Sequence, residues 1–179
     1  MSLPTLPQIN SSTRFPQSCA SISLQLLTYL DTIFPQPPFL TLSIGSGPGL
    51  LEALLLYHFP LRSETFFGVE VSSQVNRYLS KENVIIVNGT WDIVDPGTEE
   101  KLQGKEEVKG LIFVYPREVK LVERYLREKK KVEVVVWIGP RCDEEGFERV
   151  LGDWGVREEE VKGLVEDGEV VGVWRRRKV

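Results

Sequence analysis

Residues 39–58 constrain this chain more than any other stretch. Phe39-Leu-Thr-Leu-Ser-Ile is a short apolar run, Gly45-Ser-Gly47-Pro-Gly49 interrupts it, and Leu50-Leu-Glu-Ala-Leu-Leu-Leu-Tyr-His58 continues as a leucine-rich helical pattern. The stretch reads as strand, glycine turn, helix. Such a turn lets bare backbone approach a ligand because no Cβ intervenes, and it aims the free N–H groups of a helix N-terminus at whatever is bound.

Two common users of this design do not fit. The dinucleotide fingerprint requires Gly-x-Gly-x-x-Gly, but the third glycine comes one place early, at Gly49, and Leu50 stands where glycine is needed. No Gly-Lys-Ser/Thr follows, which removes the triphosphate P-loop. Ser43-Ile-Gly-Ser-Gly-Pro-Gly49 instead resembles the first motif of the class I, Rossmann-like, S-adenosylmethionine-dependent methyltransferases. The resemblance implies an acidic residue at the end of the next strand, to accept both ribose hydroxyl protons. Thr65-Phe-Phe-Gly-Val-Glu70 supplies it, 25 residues after Gly45, near the spacing of a strand–helix–strand unit. S-adenosylmethionine is the cofactor implied, bound through Gly45, Ser46, Gly47, Gly49 and Glu70. One departure lies at Ser43, where many members of the family have Asp or Glu to fix the cofactor amino group.

The rest of the chain follows the same α/β alternation. Pro4, Pro7 and Pro16 with a Ser/Thr cluster suggest an extended or flexible arm over residues 1–17, ahead of one methyltransferase-like domain over 18–179. Helical spacing over Ser18–Phe34 predicts an extra helix ended by Pro35-Gln-Pro-Pro38, a segment that in the family often helps to cover cofactor and substrate. Phe66–Val71 is the second strand, Ser72 an N-cap for a helix to Leu79, and Val84–Val87 the third strand. Residues 95–109 read as a polar surface connection. Gly110–Tyr115 and Val132–Ile138 are strands four and five, with helices around Val119–Leu126 and Phe147–Leu151. Val156–Val165 and Glu169–Trp174 then form a hairpin about an Asp167-Gly168 turn. The expected fold is a Rossmann-like three-layer sandwich with a mostly parallel seven-stranded sheet and a C-terminal antiparallel hairpin.

Further candidate residues follow from where such sheets bind ligands, outside the carboxyl ends of the strands. Asn88-Gly-Thr-Trp-Asp92 falls where the family contacts adenine, so Thr90 or Asp92 is expected to accept from the amino group and Trp91 to wall the ring; the alternative is a capped turn with Trp91 in the core. Val114-Tyr115-Pro116-Arg117 lies where amino-directed members carry Asn/Asp-Pro-Pro-Tyr/Phe. Only the proline is shared, which argues against nucleic-acid amino methylation. Tyr115 is the catalytic candidate, as base or orienting group, and Arg117 the candidate for a substrate carboxylate or phosphate; the alternative is a wall residue and a solvated arginine. Glu52 reads as a helix-end charge and His58 as a helix C-terminal cap.

Composition narrows the functional classes. Of 48 charged residues in this 179-residue chain, 41 follow position 80, so the first part reads as core and ligand site and the later helices as solvated faces. The net charge of −4 offers no general attraction for nucleic acid or anionic lipid. Lys129–Lys131 and Arg175–Lys178 read as solvated clusters. Cys19 and Cys142 lack metal-ligand spacing and disulfide density, no metal site is expected, and no apolar run spans a bilayer, which together suit a cytoplasmic protein. The expected function is methyl transfer to a small-molecule substrate rather than nucleic acid. The alternative is a non-catalytic scaffold of the same fold, with a protein as its partner.

Overall fold

The central strands of the sheet are buried on both sides, and their alternation assigns each side its own helices. The structure is a computed structural model and describes residues 2–7, 11–94, 102 and 107–177. In chain order the elements are β1 (Thr13–Arg14), β2 (Ser21–Ile22), α1 (Leu24–Ile33), β3 (Leu40–Ile44), α2 (Leu50–His58), β4 (Phe66–Glu70), β5 (Val84–Ile86), β6 (Val108–Val114), α3 (Val119–Glu128), β7 (Val134–Pro140), α4 (Glu144–Trp154), β8 (Gly155–Arg157) and β9 (Glu169–Arg176). Leu40, Leu42, Leu111, Phe113, Val135 and Trp137 join α3 and α4 in one apolar layer. The residues between them, including Ile112, Val134, Val136 and Ile138, join α1 and α2 in the other. A period of two thus yields the three-layer sandwich.

The seven-stranded sheet has the order β5-β4-β3-β6-β7-β9-β8. β3 pairs in parallel with both β4 and β6, and β5 and β7 extend the parallel run. β9 is antiparallel to β7 on one side and to β8 on the other. Strand order reverses between β3 and β6, which opens a crevice at the carboxyl ends of those strands. No helix among the described residues is long and apolar enough to cross a membrane.

Three expectations need correction. The N-terminal helix starts at Leu24, not Ser18, because Ser23 caps it by accepting from Leu26 N at 2.9 Å while Ser21–Ile22 pairs with Thr13–Arg14. No helix forms over 72–79. There Asn76 donates to Leu79 O at 2.7 Å and accepts from Leu79 N at 3.1 Å, so a side chain takes backbone partners that a helix would have used. The C-terminal pair is antiparallel as expected, but its first strand is only Gly155–Arg157, and residues 158–168 form a long connection rather than a tight turn. Most of the 95–109 connection, and Lys178, lie outside the described residues.

In the N-terminal segment, Leu6 is buried among α1 and α2 residues, and the β1–β2 ribbon lies against the domain. His58 is exposed at the end of α2, with its ring edge-on to Tyr57 rather than on a carbonyl; the cap is the Phe59 N–H donating to Leu55 O at 2.8 Å.

Candidate functional site

Gly45, Gly47 and Gly49 all have left-handed backbone, with φ of 72°, 57° and 76°. The region disfavours residues with a Cβ, so this turn needs glycine at each place. The three have different surroundings. A Cβ at Gly45 or Gly47 would meet nothing within 4 Å, whereas one at Gly49 would lie 2.7 Å from Asn76 Oδ1 and 2.8 Å from Leu79 Cβ. Gly45 and Gly47 therefore expose backbone to open space, and Gly49 packs against the 76–79 segment while starting α2. Ser46 contributes backbone only: its N–H donates to Val69 O at 3.2 Å, and its hydroxyl is buried against Gly68 with no hydrogen-bond partner.

Glu70, the last residue of β4, is brought to the same turn. Its Oε1 accepts from Gly47 N at 2.5 Å and its Oε2 from Val71 N at 3.1 Å. Glu52 is a correction, for it is not a solvated helix-end charge but a side chain only 1% exposed. Its Oε1 accepts from Ser43 Oγ at 2.5 Å, and Oε2 has no partner. Burial pushes its carboxyl up to about 7, with Glu70 adding to the shift and the Ser43 hydrogen bond opposing it. A carboxyl thus stands beside Ser43 after all, carried by the helix rather than the strand.

Thr90 and Trp91 follow β5, at the same edge of the sheet but two strands from β3. Trp91 is 45% exposed and does not pack into the core. Its carbonyl accepts from Arg124 of α3, and Asp92 N donates to Gly89 O at 3.0 Å, which fixes the segment as a turn with the indole outside.

Tyr115 and Arg117 lie on the other side of the switch point. They line a cavity of about 870 Å³ with Pro140, Cys142, Arg149 and Cys19. Tyr115 has φ of 50°, uncommon for a bulky residue, and its N–H donates to Ile138 O at 2.7 Å. Its hydroxyl donates to Glu169 Oε1 at 2.5 Å. Burial first, and Glu169 second, push the phenol up to about 12, which suits an orienting group and not a base at neutral pH. Sequence reading missed Glu169, since a glutamate opening a terminal strand carries no local sign of burial. It lies here because β9 runs antiparallel, so its first residue pairs with Pro140 at the carboxyl end of β7.

Four members of the basic clusters have partners within the fold. Lys129 donates to Val94 O, Lys131 pairs with Glu107, Arg175 pairs with Glu158 at 2.7 Å, and Arg177 donates to Gly152 O at 2.8 Å. Among the described residues no three His, Cys, Asp or Glu side chains gather as metal ligands.

No protein-family model matches the chain, and no curated protein matches it in sequence. Solved structures do match in fold. A Thermoplasma acidophilum protein, 1320, is 14% identical over 86% of this chain and 84% of its own, with a TM-score of 0.56. M. capricolum TrmK in complex with S-adenosyl-homocysteine is 8% identical over 88% of this chain and 70% of its own, at 0.53. Magnesium protoporphyrin IX methyltransferase (ChlM) from Synechocystis PCC 6803, with bound SAM, is 10% identical over 85% and 76%, at 0.50. These likenesses are of fold, and the protein has the class I, Rossmann-like methyltransferase fold.

Proposed function

We propose that this protein is a methyltransferase that binds S-adenosylmethionine at the carboxyl ends of β3 and β4 and passes its methyl group to a small molecule held in the cavity beside β6 and β7. The observation that carries the reading is the pairing of an open glycine turn with the Glu70 carboxylate, which lies 2.5 Å from Gly47 N. Gly45 and Gly47 leave room for the aminoacyl end of the cofactor. Glu70 offers a carboxylate to the ribose hydroxyls, and Trp91 a half-exposed ring to the adenine. S-adenosylmethionine, when bound, supplies a methyl group on a positively charged sulfur.

Across the switch point, the cavity of about 870 Å³ is of a size that encloses small-molecule ligands, roughly 300–1,000 Å³. Arg117 at its rim offers a fork to a carboxylate or phosphate on the acceptor. Tyr115 shapes the wall. With its hydroxyl committed to Glu169, the chain contributes alignment of the acceptor rather than proton removal, and proximity can carry most of such a reaction. The same commitment of Tyr115 favours the second reading, a binding protein that keeps the fold without catalysis.

Calorimetric titration with S-adenosylmethionine and S-adenosylhomocysteine tests the first reading before an acceptor is known. Both are expected to saturate, and Glu70→Ala to weaken them by about 10- to 150-fold, the equivalent of about 1.5–3 kcal/mol in hydrogen bonds to a charged group. Folded protein that binds neither would leave the scaffold reading.

A further inference from the structure

A single buried carboxylate ties together three parts of the chain at the wall of the acceptor cavity. The side chain of Glu169 is 2% exposed. It accepts from Ser21 N at 3.3 and 3.2 Å, from Ser21 Oγ, and from the Tyr115 hydroxyl at 2.5 Å, and it pairs with Arg14 Nη2 at 3.0 Å. Arg14 also pairs with Glu166 at 3.3 Å and donates to Cys19 O at 3.2 Å, and Glu166 N donates to Ser21 Oγ at 2.8 Å. The donors thus come from β1, from β2 and from the end of β6, and the acceptor from β9.

Each part has a reason to need this carboxylate. The β1–β2 ribbon has two residues per strand, far too little pairing to hold a shape by itself. Cys19, two residues before Ser21, lines the cavity, so the position of the ribbon sets part of the cavity wall. Tyr115 occupies a left-handed conformation that costs energy and persists only where its surroundings hold it. We infer that Glu169 is a positioning residue of the acceptor site, holding Tyr115 and the β1–β2 ribbon together as one wall. The inference rests on the reading of this cavity as the acceptor site. It makes the ribbon and Tyr115 a coupled unit, so that a change in one is felt in the other.

Two readouts test the coupling in the full chain without a known acceptor. Ring-labelled tyrosine gives a Tyr115 resonance by NMR, assigned by its loss in Tyr115→Phe, and amide exchange followed by mass spectrometry reports on residues 11–23. Glu169→Gln is expected to shift the Tyr115 resonance and to speed ribbon exchange by about tenfold or more. Arg14→Gln removes, at a half-exposed side chain of the ribbon, the ion pair to Glu169, and is expected to shift the Tyr115 resonance too. Tyr115→Phe is expected to speed ribbon exchange. S-adenosylhomocysteine affinity should stay within about twofold in all three, because its proposed contacts, Gly45, Gly47, Glu70 and Trp91, lie outside this unit. An unmoved Tyr115 resonance in Arg14→Gln, or exchange that rises evenly over the whole chain in Glu169→Gln, would overturn the inference. Wild-type protein that fails to bind S-adenosylhomocysteine would overturn the methyl-donor reading instead, while resonance and exchange still decide whether the unit is coupled.

Discussion

Glu52 makes the stability of this protein depend on pH in an unusual direction for a carboxyl group. Its folded value of about 7 exceeds the ordinary 4.5, so the folded state holds the proton more tightly than the unfolded chain does. The protonated form contributes fully below about pH 4.5, and that contribution is lost as pH rises through 7. The shift corresponds to about 3 kcal/mol. In urea unfolding, Glu52→Gln should reduce the loss of stability between pH 4.5 and pH 8 by about that amount, whatever constant offset the substitution adds; an unchanged difference would show that Glu52 is solvated. This residue also marks the limit of local reading. The place of Glu70 beside the glycine turn was legible because it depends only on its own strand end and a turn 23 residues away. The burial of Glu52 depends on which way α2 turns its third residue, and a glutamate in a first helical turn ordinarily faces water.

At the scale of the element, the strand–turn–helix unit divides its glycines between two tasks. Gly45→Ala and Gly47→Ala should each cost about 1–2 kcal/mol for left-handed backbone, and they place a methyl group where the ligand is proposed to lie. Gly49→Ala meets Asn76 and Leu79 at 2.7 and 2.8 Å besides. Thermal unfolding should therefore rank Gly49→Ala as the least stable of the three, while S-adenosylhomocysteine titration should rank the other two as the weaker binders among proteins that remain folded. Equal melting temperatures would refute the division. The turn itself was plain in the sequence because positive φ and a following leucine run are encoded within a few residues. The missing helix at 72–79 was not. Its propensity is weak, and what decides it is a pair of Asn76 hydrogen bonds and the donation of Arg77 N and Tyr78 N to Pro48 O, at 2.9 and 3.0 Å.

Over the whole molecule, the two proposed sites lie along the same end of the sheet. From Glu70 on β4 to Glu169 on β9 there are four strand steps, through β3, β6 and β7, or about 19 Å at the usual spacing of about 4.8 Å. Groups that far apart with no shared partner should act independently, so the stability effects of Glu70→Ala and Glu169→Gln should add within about 0.5 kcal/mol in the double variant. A larger coupling would mean that the sites communicate through the sheet. The sequence alone determined the α/β alternation, the glycine turn and the acid that meets it, since each is written in the period or backbone demands of neighbouring residues. Only the tertiary structure decided what surrounds Glu52 and Glu169. Ser21 and Glu169 are 148 residues apart and meet because β9 enters the sheet antiparallel, which brings its first residue to the edge where every parallel strand ends. The charge and hydrogen bonding of a carboxylate are properties of its neighbours, and strand order chooses the neighbours.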